Sequence, residues 1–243
     1  MRSMTAALAV AALAGVASAF PVTTFLGEDL TTSVPFGTLT NTRAAQTSFL
    51  NNLSGVSTES FETQTLGAAG PFNLSFQGSA GTIGATASGT GISIQDDAFG
   101  LGQIYATDGD QYLFASTDST GGLTLTFDTP VAAFGFTATD LSDQGASVVL
   151  NLDNGTTTTV PLGNTVGSAG STDGSALFFG VIAQGTATFT SVTFQIASGG
   201  AFDSFGFDEL TVGDTDQVSL VPLPTGAGLA GLGLAFVGTR RRR

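Results

Sequence analysis

The sequence predicts an all-β fold: an antiparallel β-sandwich of jelly-roll type with one short N-terminal helix, followed by a C-terminal transmembrane helix. Three observations carry this expectation. Short runs alternate apolar and polar residues with period two, as Leu123, Leu125 and Phe127 do against Thr124, Thr126 and Asp128. Turns rich in Gly, Asp and Asn separate the runs, and Asn154-Gly155 between Val148–Leu152 and Thr156–Val160 is a strong hairpin signal. Many short strands at this spacing within residues 20–220, a length typical of one all-β domain, indicate two packed sheets.

Taken in chain order, residues 1–19 read as a secretory signal peptide. Arg2 precedes an apolar run from Met4 to Val16, and Ala17-Ser18-Ala19 supplies a small-x-small pattern that places the cut between Ala19 and Phe20. That run is too short for a comfortable membrane span, and signal peptidase is the implied partner. Within 20–220, the helix is expected over Asn41–Leu53. Thr40 or Asn41 can cap it, Ala45, Phe49 and Leu53 share one face, and Gly55 stops it.

Strands are expected near 60–65, 72–77, 81–86, 91–95, 103–106, 111–115, 147–152, 156–161, 177–182 and 204–212. Three alternating runs join them: Leu123–Phe127; Phe134 and Phe136 against Gly135 and Thr137; and Val192, Phe194 and Ile196 against Thr193 and Gln195. Phe supplies 20 of the 22 aromatic residues, and alternation sends most of them inward as core. The Thr and Gly content also suits a β-solenoid, but no fixed repeat period supports one.

The chain ends on a different pattern. Val221, Pro222, Leu223 and Pro224 are followed by an uncharged Gly/Ala/Leu-rich stretch, Thr225–Thr239, and then by Arg240, Arg241, Arg242 and Arg243. A greasy segment capped by clustered cations reads as a transmembrane helix with a cytoplasmic stop-transfer anchor. The prolines hold an extended backbone just outside the bilayer, and five glycines weaken the span.

Composition narrows the chemistry. All 19 acidic residues lie in 20–220 with Arg43 as the only base, which leaves this part at a net charge of −18. Such a surface repels nucleic acid and anionic lipid. Cys, His and Lys are absent, which excludes Ser-His-Asp and Cys-His catalysis, Schiff-base chemistry and imidazole or thiolate metal sites. Carboxylates and two tyrosines, Tyr105 and Tyr112, are the remaining acid/base groups. A two-carboxylate glycosidase stays open on that inventory, but Trp is absent and the expectation is a protein that is not an enzyme.

The tripartite ending at 221–243 resembles the PEP-CTERM sorting domain of Gram-negative bacteria, in its VPLPA-CTERM variant. It departs from that pattern in having no Glu between the prolines and Thr225 in place of Ala. The resemblance implies an exosortase, a membrane-embedded cysteine protease, that recognises Val221, Pro222, Leu223 and Pro224 and cuts nearby. The inner membrane then holds the protein transiently, before it reaches the cell surface or the extracellular space.

Loose motifs of the exported domain are similar to those of other proteins with such tails. They are Phe49-Leu50 through Phe61-Glu62, Ala133–Phe136, Leu177–Ile182 and Phe205–Leu210. Phe61-Glu62 and Phe207-Asp208-Glu209-Leu210 also resemble a pair found in galactose-binding-like jelly rolls, where a structural calcium joins early and late strands. The resemblance brings Glu62 and Asp208 forward as candidate calcium ligands, and hard oxygen donors are all that this chain can offer such an ion.

Three acidic loops, Asp96-Asp97, Asp108-Gly109-Asp110 and Asp140–Asp143, compete with this pair as calcium sites, but each reads as an ordinary turn. The apolar pattern changes phase between Phe207 and Leu210, which suggests a bulge or an inward-turned acid.

The function expected from these readings is a non-enzymatic surface or extracellular-matrix protein. The alternative is a carbohydrate-binding module of jelly-roll fold in exopolysaccharide or biofilm matrix, with Tyr105, Tyr112 and the acidic loops lining a groove.

Overall fold

A computed structural model describes residues 20–30, 38–96, 104–117, 122–142, 144–165, 174–196 and 203–219. The expected signal peptide, Val221–Pro224, the expected transmembrane helix and Arg240–Arg243 lie outside the described residues. Among those described, no helix is long and apolar enough to cross a membrane.

Among the described residues the fold is all-β with one α-helix. Its first elements are β1 (Val22–Asp29), α1 (Thr40–Leu50), β2 (Thr58–Glu59), β3 (Phe72–Gly78), β4 (Gly81–Ser88), β5 (Ser93–Gln95) and β6 (Tyr112–Thr117). There follow β7 (Thr124–Val131), β8 (Ala133–Thr139), β9 (Ala146–Leu152), β10 (Thr157–Pro161), β11 (Ala176–Ala183), β12 (Phe189–Ile196) and β13 (Asp203–Gly213). One antiparallel sheet runs β1-β11-β8-β13-β6-β5, with β2 added to β13, and the other runs β10-β9-β12-β7-β4-β3. The last strand therefore sits in the interior of its sheet, between β8 and β6.

The six-stranded sheet shows the alternation that its sequence predicts. Leu74, Phe76, Ile83, Leu125, Phe127, Val148, Leu150, Val192 and Phe194 point inward and are buried. They meet Phe134, Phe136, Phe179, Phe205 and Phe207 from the facing sheet. Phe136 lies 5.4 Å from Phe207 and 5.9 Å from Phe179, ring centre to ring centre, and Phe194 lies 5.1 Å from Phe207. Each such ring contributes roughly 1.5–3 kcal/mol by leaving water. The Asn154-Gly155 hairpin joins β9 and β10 as expected, with Gly155 at a φ of 81°.

The seven-stranded sheet departs from simple alternation. β8 and β11 are buried along their whole length, so Gly135 and Thr137 are covered rather than wet. The reason is a second layer. Helix α1 packs on the outer face, where Phe49 forms a small core with Ala133, Phe178 and Ile182. Gly135 and Gly180 face each other across β8 and β11. A Cβ on Gly180 would lie 2.6 Å from the Phe49 ring and one on Gly135 2.9 Å, so the ring needs this bare backbone to sit on.

Several boundaries differ from the sequence expectation. Strand β1 was not anticipated. The strand expected at 60–65 is a two-residue strand followed by a turn at Phe61, whose φ is 63°. Residues 104–106 are not a strand but a buried segment over the outer face, stapled to Thr139 by two hydrogen bonds of Tyr105. Neither Thr40 nor Asn41 caps α1: Asp29, at the end of β1, accepts hydrogen bonds from the Asn41 and Thr42 amides at 3.1 and 2.9 Å. The helix ends at Leu50, before Gly55.

Candidate functional site

Glu62 and Asp208 lie in one assembly, but the partner that each holds is backbone. Asp208 Oδ2 accepts hydrogen bonds from the Thr107 and Asp108 amides, both at 2.8 Å, and from the Thr107 hydroxyl at 3.1 Å. Its Oδ1 accepts from the Glu209 amide at 2.7 Å. Glu62 Oε1 accepts from the Asp110 and Gln111 amides at 2.8 and 2.7 Å. The two carboxylates thus grip opposite ends of the 107–111 loop. That loop contains the Asp108-Gly109-Asp110 turn, which the sequence presents only as a rival site. Among the described residues, no group of three or more acidic side chains is placed to hold a metal ion.

Glu209 turns inward at the bulge that the sequence anticipates: the register with β8 shifts between Asp208 and Thr211, and Glu209 has a φ of 52°. It meets Arg43, whose guanidinium donates to both Glu209 oxygens, to Gln46 Oε1 and to the Thr107 carbonyl. Gln46 and Thr137 donate to Glu209 as well, and the single proton of the Thr107 hydroxyl lies between Glu209 Oε2 at 2.9 Å and Asp208 Oδ2 at 3.1 Å. Arg43, Gln46, Thr107 and Glu209 were not singled out as site residues, although a single base among 19 acids signals that Arg43 must have a carboxylate partner.

Burial, reinforced by the Glu209 charge, pushes Asp208 up to about 7 against the pull of its amide donors. Burial acts on Glu209 in the same sense, but the hydrogen bonds from Gln46 and Arg43 and the Arg43 charge outweigh it and hold Glu209 below the ordinary range. Both acids are nearly inaccessible, at 1% and 7% exposure. The groove between β1 and α1, about 460 Å³, is lined by Glu28 and Asn41 with Leu26, Gly27, Ala44, Ala45 and Ser48, and neither acid reaches it.

The tyrosines do not line a groove. Tyr105 is 1% exposed and donates its hydroxyl to the Gly174 carbonyl at 3.1 Å, and burial together with the Asp29 charge pushes it up to about 12. Tyr112 is buried in a small cluster with Ile104 and Ala106. The groove reading has both lining a groove, whereas the structure buries both.

The outer face of the six-stranded sheet is a broad solvent-facing surface. Strand registers align one row across all six strands: Thr157, Asn151, Ser191, Thr126, Thr86 and Asn73. A parallel row joins Thr159, Val149, Thr193, Thr124 and Ser88. All are exposed or half-buried. Neither row contains a charged residue or an aromatic ring. Asp128 stands on the flank, accepting from the Gly84 amide. Side chains within the rows bond one another across strands: Asn151 to Ser191 at 2.7 Å, Thr124 with Thr193 at 3.1 Å, and Thr86 to Asn73 at 3.4 Å.

No family model and no curated protein matches the chain. Among solved structures it is similar to the CBM22-1 xylan-binding domain of a Paenibacillus barcinonensis protein, at 16% identity, covering 68% of this chain and 95% of that one, with a TM-score of 0.36. It is also similar to a C-terminal family 22 carbohydrate-binding module of Clostridium thermocellum, at 13% identity, 71% and 98% coverage and a TM-score of 0.38. The K2 cleaved adhesin domain of Lys-gingipain matches at 14% identity, 65% and 97% coverage and a TM-score of 0.38. Likeness at this level does not extend to function.

Proposed function

We propose that this chain is a non-enzymatic protein of the bacterial surface or extracellular matrix. In this reading residues 1–19 direct its export, an exosortase cuts near Val221–Pro224, and the β-sandwich works outside the cell as a polysaccharide-binding module. The observation that supports it is the inward commitment of the acid pair. A general acid or base must reach the proton that it moves. Asp208 and Glu209 instead hold the 107–111 loop and Arg43, buried beneath the helix layer. The row that crosses all six strands carries only hydroxyl and amide side chains, suited to contact rather than catalysis.

Two measurements test this. The full chain, kept in mild detergent, is expected to be retarded in gels containing neutral polysaccharide while releasing no reducing ends from it. Sugar release that is lost in both Asp208→Asn and Glu209→Gln would overturn the non-enzymatic reading. For sorting, the mass of protein recovered from its native host is expected to lack Arg240–Arg243; an intact C-terminus would rule out cleavage.

A further inference from the structure

Resting on that polysaccharide-binding reading, we infer that the outer face of the six-stranded sheet is the glycan-contacting surface and that its ligand is an extended, uncharged polysaccharide. The first ground is charge. This domain has 19 acids to distribute. Nevertheless the two rows that cross the sheet hold none. Asp128, two residues beyond Thr126 on β7, is an acid on the same face next to the rows, and Asp153 lies in the β9–β10 turn. Uncharged rows inside a strongly acidic molecule admit an uncharged polymer, while the surrounding field, Asp128 included, turns away uronate, sulfate and phosphate chains.

The second ground is chemistry and order. A sugar chain presents hydroxyls that both donate and accept, and Thr, Ser and Asn side chains do the same. Cross-strand hydrogen bonds between Asn151 and Ser191, and between Thr124 and Thr193, already restrict these side chains, so less rotamer freedom is lost when a ligand docks. Six strands at about 4.8 Å spacing give a row roughly 24 Å long, which matches an extended polymer rather than a monosaccharide. No large apolar side chain is exposed on this face: the exposed ones among the described residues are Leu26, Leu30 and Leu66. Binding therefore accumulates from many weak polar contacts and depends on chain length.

The test is affinity electrophoresis of the full chain against xylan, a mixed-linkage β-glucan and dextran, with alginate as the anionic control. At least one neutral polymer is expected to retard the protein, insensitively to salt, with short oligosaccharides competing at least tenfold less well than the polymer. Thr126→Glu, in the centre of the six-residue row, is expected to weaken binding at least tenfold, while Thr126→Ser keeps it and both retain the parent melting temperature within a few degrees. Neutral-polymer binding that survives Thr126→Glu and a second variant, Thr86→Glu, would move the site elsewhere and leave the module reading standing. No retardation by any neutral polymer would overturn both the surface and the polysaccharide-binding reading.

Discussion

Two adjacent acids on β13 have opposite pH signatures. Asp208 has a folded-state pKa near 7, above its unfolded value, so its contribution to stability is complete below about pH 4 and is lost as pH rises towards 7. Glu209 is held low, so its contribution is present above the ordinary Glu range and is lost as pH falls below it. Asp208→Asn is expected to flatten the decline between pH 4 and 7, while costing about 1–3 kcal/mol because the new NH₂ opposes amide donors. Urea melts across that range measure both effects.

Removing the cation is a separate matter. Arg43→Ala should destabilise the fold by about 2–3 kcal/mol, less than the 3–5 of a fully buried pair, because the Arg43 side chain is 39% exposed. Arg43→Lys should rescue little, since a single ammonium cannot reach Glu209, Gln46 and the Thr107 carbonyl at once. Chemical denaturation of both variants reads this directly.

At the level of elements, the helix-to-sheet contact governs the outer layer. Phe49→Ala removes a ring buried on all sides and is expected to cost about 3–5 kcal/mol. Gly180→Ala, which forces a methyl group into that ring, is expected to cost about 1–3 kcal/mol. Thermal melts of the two single variants and the double should show non-additivity, because both changes act at one contact.

These elements also show where the sequence is legible. The β9–β10 hairpin and the alternating strands of the six-stranded sheet could be read because their signals are local: a turn dipeptide and a period of two. The bulge at Glu209 was visible as a break in phase. Strand β1 was not, because its Val-Thr-Thr-Phe-Leu-Gly-Glu-Asp run does not alternate cleanly and its inner neighbours come from β11 and α1. The helix cap was misassigned because the capping carboxylate, Asp29, comes from another element. Glu62 and Asp208 each accept hydrogen bonds from a stretch of amides about 100 residues before Asp208, which no residue pattern announces.

For the molecule as a whole, the calcium expectation has a simple measurement. Melting curves with calcium and with chelator test the Glu62 and Asp208 carboxylates, both of which accept amide hydrogen bonds from the 107–111 loop. A shift of several degrees that follows the free calcium concentration would show a bound ion. A larger consequence follows from the position of β13. Because residues 203–213 fill the gap between β8 and β6, the domain cannot zip up progressively from its first strand. A chain emerging N-terminus first stays open until its final strand is delivered, and a version truncated at residue 200 should be degraded by protease as readily as an unfolded polypeptide.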